Sequence, residues 1–224
     1  MSFGRTTTTE CRDAALSQLA RLRQGIYALL AVAFQAPGSE WLGRAQEMAL
    51  GLGAGAGILR GLAFVPSWEA FRLRLLATSE AELQKPDDSA LRETQYVYPD
   101  ATIQCDVVAD LEASYHQAAL RHTGPTPPDH LGAELSFLSV LCAQEAEGWE
   151  AGRRDRVMAL LRRQAAFLDD HLCRWLPLVA ARLSEDRPPD LHSLAAMAAW
   201  GLANHDRDMA SLILAELAED EHVR

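Results

Sequence analysis

Apolar residues recur every three or four positions along nearly every segment of this chain, which is the spacing that puts them on one face of an α-helix. Leu19, Ile26 and Leu30 show the pattern near the start of the chain. No alternation of apolar and polar residues is long enough to predict a β-strand. The sequence therefore predicts an all-α protein, a single helical bundle-like domain of roughly nine to eleven helices.

The length of 224 residues and a hydrophobic share of 49% fit one domain spanning residues 1–224 with a sizeable core. Residues 121–128 combine Gly and Pro and predict a linker between helices. A short rigid linker can act as a hinge through which two copies exchange elements. We expect a monomer or a domain-swapped dimer.

The formal net charge of -10 argues against nucleic acid as a partner, because phosphate binding needs a basic surface. An acidic protein suits a basic partner better. The four cysteines contain no CxxC pair, so neither a disulfide scaffold nor a thiolate metal site is predicted. Residues 1–13 lack the apolar core of a secretory signal, and residues 24–39 are too short to span a bilayer. We expect a cytoplasmic protein without membrane insertion.

Side chains that accept hydrogen bonds from backbone amides predict where several helices begin. Ser39, Ser67 and Asp155 each precede a periodic apolar run and are predicted N-caps. Pro177 lies inside another such run and predicts a kink or an interruption there.

Residues 127–138 read Pro-Pro-Asp-His-Leu-Gly-Ala-Glu-Leu-Ser-Phe-Leu and form the most distinctive stretch of the chain. Two prolines end a loop, Asp129 is a predicted N-cap, and the leucines that follow mark one apolar helix face. A carboxylate and the His130 imidazole are thus held together where a helix begins.

Catalysis or metal binding at this stretch is one interpretation of the residues. His130 and Glu134 are four positions apart and could face the same way, but two ligands do not make a metal site. A hydrogen-bonded helix cap is the commoner use of such a pair. An all-α metal or small-molecule enzyme using Asp129, His130 and Glu134 stays open as an alternative.

Two other segments look like ligand motifs but lack the required context. Residues 51–57 are rich in Gly, yet they follow a helical segment and no Gly-Lys-Ser/Thr comes after them, so a helix break is predicted. A single Glu-x-x-His occurs at residues 219–222, whereas helical di-iron sites need two. A solvated acidic tail is the interpretation we adopt.

The stretch 127–138 resembles the signature loop of the TorD/DmsD/NarJ-type chaperones, in which Pro-Asp-His opens a helix that continues Leu-Gly-x-Glu-Leu-x-Phe. Residues 167–177 are similar to a later family helix, Phe-x-x-x-His-Leu-x-x-Trp followed by proline. Residues 23–31 and 111–115 also resemble family segments. Residues 93–100 depart from the family, which carries a Pro-Tyr-Glu-Ser-like core there.

The resemblance implies a cytoplasmic chaperone rather than an enzyme. Such a chaperone binds the twin-arginine leader and the apo form of a molybdopterin-dependent oxidoreductase, and assists cofactor insertion and assembly before export. The implied partner is the catalytic subunit, bound through its N-terminal leader, and no cofactor of the chaperone's own is implied. A helical adaptor without leader specificity is a further alternative. The residues assigned to client or leader binding are Pro128, Asp129, His130, Glu134, Tyr98, Tyr115 and Trp68.

Overall fold

The computed structural model describes residues 3–35, 40–53, 61–83, 87–97, 101–121, 123, 126–185 and 189–222. Within these ranges the chain is helical and has no β-strand, which confirms the all-α prediction. The α-helices are α1 (Phe3–Ala33), α2 (Trp41–Gly53), α3 (Val65–Ala77), α4 (Thr94–Val97), α5 (Ala101–Gln117), α6 (Leu131–Glu150), α7 (Arg154–Phe167), α8 (Cys173–Ser184) and α9 (Leu191–His222). Short 3₁₀ turns at Glu80–Glu82 and Asp88–Leu91 and a π-turn at Leu168–Leu172 complete the described elements.

The centre of the fold is the long contact between α1 and α6. Helix α9 packs against α3, α7 and α8, so that it closes the opposite side of the core. Aromatic side chains such as Tyr27, Phe71 and Trp175 are fully enclosed in this core. A smaller apolar cluster around Trp149 and Val157 joins the turn between α6 and α7 to the end of α9.

Four helices meet at a buried polar cluster around Arg23 of α1. The Arg23 guanidinium donates to Asp206 Oδ2 at 2.8 Å, Glu145 Oε2 at 2.9 Å and Gln164 Oε1 at 2.6 Å. All four side chains are almost completely buried. Burial lowers the pKa of Arg23, but the neighbouring charges, Asp206 foremost, raise it well above its ordinary value. Because the four residues come from α1, α6, α7 and α9, this Arg23 cluster ties the bundle together.

Three predicted helix N-caps are wrong by one to three residues. Helix α3 begins at Val65, and Ser67 donates its hydroxyl to the Phe64 carbonyl instead of capping. Helix α7 begins at Arg154, one residue before Asp155. Helix α6 is capped by His130, and not by Asp129. The predicted cap Ser39 lies outside the described residues.

The helical stretch that begins at Arg154 is not interrupted at Pro177. Helix α8 continues through Pro177 to Ser184. The irregularity lies upstream of the proline, in the π-turn over residues 168–172. The predicted helical pattern is confirmed, whereas the predicted interruption at Pro177 is wrong.

Helix α2 ends at Gly53, inside the Gly-rich segment 51–57, as the predicted helix break requires. Residues 54–60 lie outside the described residues, as do residues 122, 124 and 125 of the predicted hinge. None of the described helices combines the length and the apolar character needed to cross a lipid bilayer.

Candidate functional site

Asp129 is the centre of the contacts that hold the signature loop. Arg92 Nε lies 3.1 Å from both carboxylate oxygens of Asp129, and the Thr94 hydroxyl donates to Asp129 Oδ2 at 2.6 Å. The backbone amide of Glu93 donates to the Asp129 carbonyl at 2.9 Å. The Asp129 side chain is fully buried, whereas that of Arg92 is 35% exposed. Arg92 and Thr94 therefore fix the Asp129 carboxylate, and the Glu93 amide between them fixes the Asp129 backbone.

His130 begins helix α6 and joins the loop to the segment around Arg92. Its Nδ1 accepts a hydrogen bond from the Gly132 amide at 3.1 Å, and its backbone pairs with that of Arg92 in an antiparallel bridge. The ring is 1% exposed. A Cβ at position 132 would lie 3.2 Å from the Ala31 carbonyl oxygen, so Gly132 lets the start of α6 approach α1 closely.

Two buried glutamates lie next to this loop. Glu93 and Glu134 are fully enclosed, and each has one carboxyl oxygen without a hydrogen-bond partner among the described residues. Burial, together with the charges of Glu93 and Asp129, raises the pKa of Glu134 well above its usual range. Glu134 consequently keeps its proton at pH values where an exposed glutamate has lost it.

The second stretch that resembles the family, residues 167–177, supplies partners for both glutamates. His171 in the π-turn lies with Nδ1 3.0 Å from Glu93 Oε2. Trp175 of α8 donates its indole N–H to Glu134 Oε2 at 3.4 Å. The two stretches are about forty residues apart in sequence, yet they form one buried junction, which we call the signature junction: Arg92, Glu93, Thr94, Asp129, His130, Glu134, His171 and Trp175.

An apolar cavity of about 160 Å³ opens beside the junction, between the end of α5 and the first half of α6. Tyr115 forms one wall, and its hydroxyl donates to the Pro128 carbonyl at 2.7 Å. Phe137 forms part of the other wall, and its ring centroid lies 4.8 Å from that of Tyr115. The residues that line the cavity are Tyr115, Leu120, Arg121, Ala133, Ser136, Phe137 and Val140.

Most of the residues assigned to binding from the sequence come together at this place. Pro128 is half-buried beside Tyr115, while Asp129, His130 and Glu134 are enclosed behind the cavity wall. Trp68 is not part of the junction, because it is buried on α3, which packs against α2 and α9. Tyr98 lies outside the described residues.

Sequence reasoning missed Arg92 and Thr94, which hold Asp129, and did not give Glu93 a role. They lie about 35 residues before Asp129, and Arg92 and Thr94 have no unusual spacing of their own. The usable signal was at residues 93–100, the segment where the family carries a Glu-Ser pair. Glu93-Thr94 stands at that place with a carboxylate and a hydroxyl of the same kinds.

The junction does not bring together three side chains suited to a metal. Among the described residues no group of three or more His, Cys, Asp or Glu is arranged to hold a metal ion. The geometry instead shows hydrogen bonds that connect a loop to α6 and α8.

Comparison with known protein families identifies a match in the middle of the chain. Residues 83–181 match the family described as nitrate reductase delta subunit. No curated protein matches the chain at a significant level. The matched segment contains every residue of the signature junction and the whole apolar cavity, from Arg92 to Trp175. This match, together with the motifs that meet at the junction, supports the resemblance of the chain to the TorD/NarJ-type family of molybdoenzyme maturation chaperones.

Proposed function

We propose that this protein binds the N-terminal leader of the catalytic subunit of a molybdopterin-dependent oxidoreductase and holds the apo form in the cytoplasm while the cofactor is inserted. The observation that carries the proposal is the apolar cavity beside the signature loop, within the segment that matches the chaperone family. In this proposal the protein carries no cofactor of its own and catalyses no reaction.

The chemistry of a leader peptide fits such a cavity. A twin-arginine leader has two arginines followed by an apolar run that tends to become helical, and amphipathic helices bind by placing apolar side chains into grooves. The cavity offers Phe137 and Val140 as apolar contacts. The net charge of -10 attracts the arginine pair at long range, although salt screens this field within about 8 Å. The apolar run therefore supplies most of the affinity, and the arginines supply register and association rate.

The side chains of the signature loop are buried, which limits the role that they can have in binding a peptide. Asp129, His130 and Glu134 are each 1% exposed or less, so in this conformation a peptide reaches the cavity walls and not these groups. Pro128 and Tyr115 are the residues of the assigned set that adjoin the cavity. We therefore assign client contact to the cavity walls and loop geometry to Asp129 and His130.

Calorimetry with three synthetic peptides tests the proposal: a twin-arginine leader, the same leader with a Lys-Lys pair, and a leader whose apolar run is made polar. We expect a modest loss of affinity for the second peptide and near-total loss for the third, because burial of the apolar run dominates the binding free energy. If the polar peptide binds as tightly as the intact leader, recognition lies elsewhere in the client.

A pair of variants locates the site. Val140→Asp places a charge in the cavity wall and should weaken leader binding by about tenfold or more, since an unpaired carboxylate there must be desolvated by the peptide. Leu212→Asp makes the same change in net charge at a position on α9 that is 68% exposed, and should bind like the wild type. Equal affinities for the two variants would show that the cavity is not the binding site.

A further inference from the structure

We propose that Arg92 and Thr94 are positioning residues of the client site: by holding Asp129 they keep the two walls of the apolar cavity in the arrangement that admits a leader. This inference rests on the proposed function. It concerns residues that lie outside the recognised signature motif and that do not line the cavity themselves.

Asp129 lies in the chain between Pro128, which is bonded to one wall of the cavity, and His130, which caps the helix that forms the other. Before Asp129, the carbonyl of Pro128 accepts a hydrogen bond from the hydroxyl of Tyr115, which forms the wall from α5. After it, His130 caps α6, whose first turns carry Ala133 and Phe137 on the other wall. A shift of Asp129 therefore moves Pro128 away from Tyr115, or it tilts the first turn of α6.

Arg92 and Thr94 restrict Asp129 in different ways. Arg92 places its planar guanidinium against both carboxylate oxygens, with Nη2 also 3.1 Å from Oδ1, and this fork fixes the plane of the carboxylate. Thr94 donates to Oδ2 at 2.6 Å from a buried hydroxyl and fixes its position. Between them, the Glu93 amide holds the Asp129 carbonyl. The side chain and the backbone of Asp129 are thus held by three consecutive residues, 92–94.

Residues 92–94, which hold Asp129, also contact α5 and the π-turn. The Thr94 carbonyl accepts a hydrogen bond from Gln104 of α5 at 3.1 Å, and Glu93 contacts His171 in the π-turn. The segment that holds Asp129 is therefore fixed to the helix that provides the Tyr115 wall. Its contacts set the separation between α5 and α6, which is the width of the cavity.

The test compares Thr94→Val, which keeps the shape of the side chain and removes the hydroxyl, with Thr94→Ser, which keeps the hydroxyl. Binding of a synthetic twin-arginine leader peptide is measured by calorimetry at a temperature where every variant is fully folded. We expect Thr94→Val to weaken binding by about fivefold or more, the factor that corresponds to one lost hydrogen bond, and Thr94→Ser to stay within about twofold of the wild type. Arg92→Met should weaken binding at least as much as Thr94→Val.

A control separates positioning from general stability. Val157→Ala removes buried methyl groups in the cluster around Trp149, away from the cavity, and should lower stability without changing leader affinity. Amide hydrogen exchange supplies a second readout, because exchange at Gly132, which donates to His130 Nδ1, should accelerate in Thr94→Val and not in Val157→Ala.

The possible results separate the two proposals. If the wild type binds no leader, both are overturned. If the wild type binds and Thr94→Val binds equally tightly, with unchanged exchange at Gly132, only the positioning role is overturned. Tighter binding by Arg92→Met would also overturn it, because the guanidinium would then be a competitor of the leader rather than a support for the loop.

Discussion

The Arg23 cluster and the signature junction are both buried ionic groups, but they are built differently. Arg23 is 1% exposed and contacts side chains from three other helices. Arg92, in contrast, is 35% exposed and contacts one carboxylate in a loop, with two further glutamates nearby whose oxygens are not all paired. The first arrangement encloses its cation, while the second leaves its cation in contact with water.

From this difference we expect the Arg23 cluster to affect the stability of the fold and the signature junction to affect client binding. Removing an enclosed cation leaves two buried carboxylates without compensation, so loss of Arg23 should destabilise the fold strongly. The exposed Arg92 can exchange some of its contacts with water, and the loop it holds lies beside the cavity. Replacing residues of each region should therefore separate stability from client binding.

The largest effect is expected for Arg23→Met. The change leaves Glu145 and Asp206 buried without their cation, and should lower the free energy of unfolding by about 3–5 kcal/mol. Urea denaturation measures this loss, and calorimetry on the folded fraction should show unchanged leader affinity. A loss below about 1 kcal/mol would mean that the two regions do not differ as we describe.

Asp129→Asn should have an intermediate effect on stability. The amide keeps the shape and accepts from Thr94, while Arg92, being partly exposed, can turn towards water; the expected loss is about 1–2 kcal/mol. Leader affinity should fall in the same variant, since the fork to Arg92 is lost. Denaturation and calorimetry on one preparation measure both quantities, and a stability loss as large as that of Arg23→Met would contradict the comparison.

At low pH the smallest effect is expected for Glu134→Gln, and this effect grows as a pH dependence of stability. The pKa of Glu134 is raised in the folded protein, mainly by burial, so the folded state binds more protons than the unfolded state between the ordinary glutamate pKa and the raised one. Over that window the wild type loses stability as pH rises, by at most about 1.4 kcal/mol per pH unit. Glutamine imitates the protonated form and still accepts from Trp175.

Urea denaturation of the wild type and Glu134→Gln at several pH values measures this effect. The two stability curves should diverge as pH rises above the ordinary glutamate range, with the variant the more stable. Parallel curves would show that Glu134 is ionised in the folded protein.

The helical class of the fold could be predicted because it depends on the period of apolar residues, which is a local property of the sequence. The starts of α3, α6 and α7 were placed at the residue with the best capping side chain. At the signature loop this prediction was wrong, because the Asp129 carboxylate binds Arg92 and Thr94. His130 caps α6 instead. Propensity ranks residue types, but a distant ion pair decides which of two neighbours is free to cap.

Only part of the arrangement of the candidate site could be predicted from the sequence, and the assignment of its residues to client binding stays a prediction. The motifs named Asp129, His130 and Glu134 correctly as neighbours of one loop, and placed Tyr115 near it. They did not show that the first three are enclosed, nor that residues 92–94 hold Asp129, because these contacts join segments about 35 residues apart and follow no period.

The π-turn at Leu168–Leu172 makes the number of residues in this part of the chain matter as much as their identity. Helices α7 and α8 are one continuous helix with a single extra residue, which is what a π-turn adds. Each residue of an α-helix advances the side-chain direction by about 100°. Deleting one residue here would leave the composition almost unchanged, yet it would rotate the whole of α8 and turn the Trp175 indole away from Glu134.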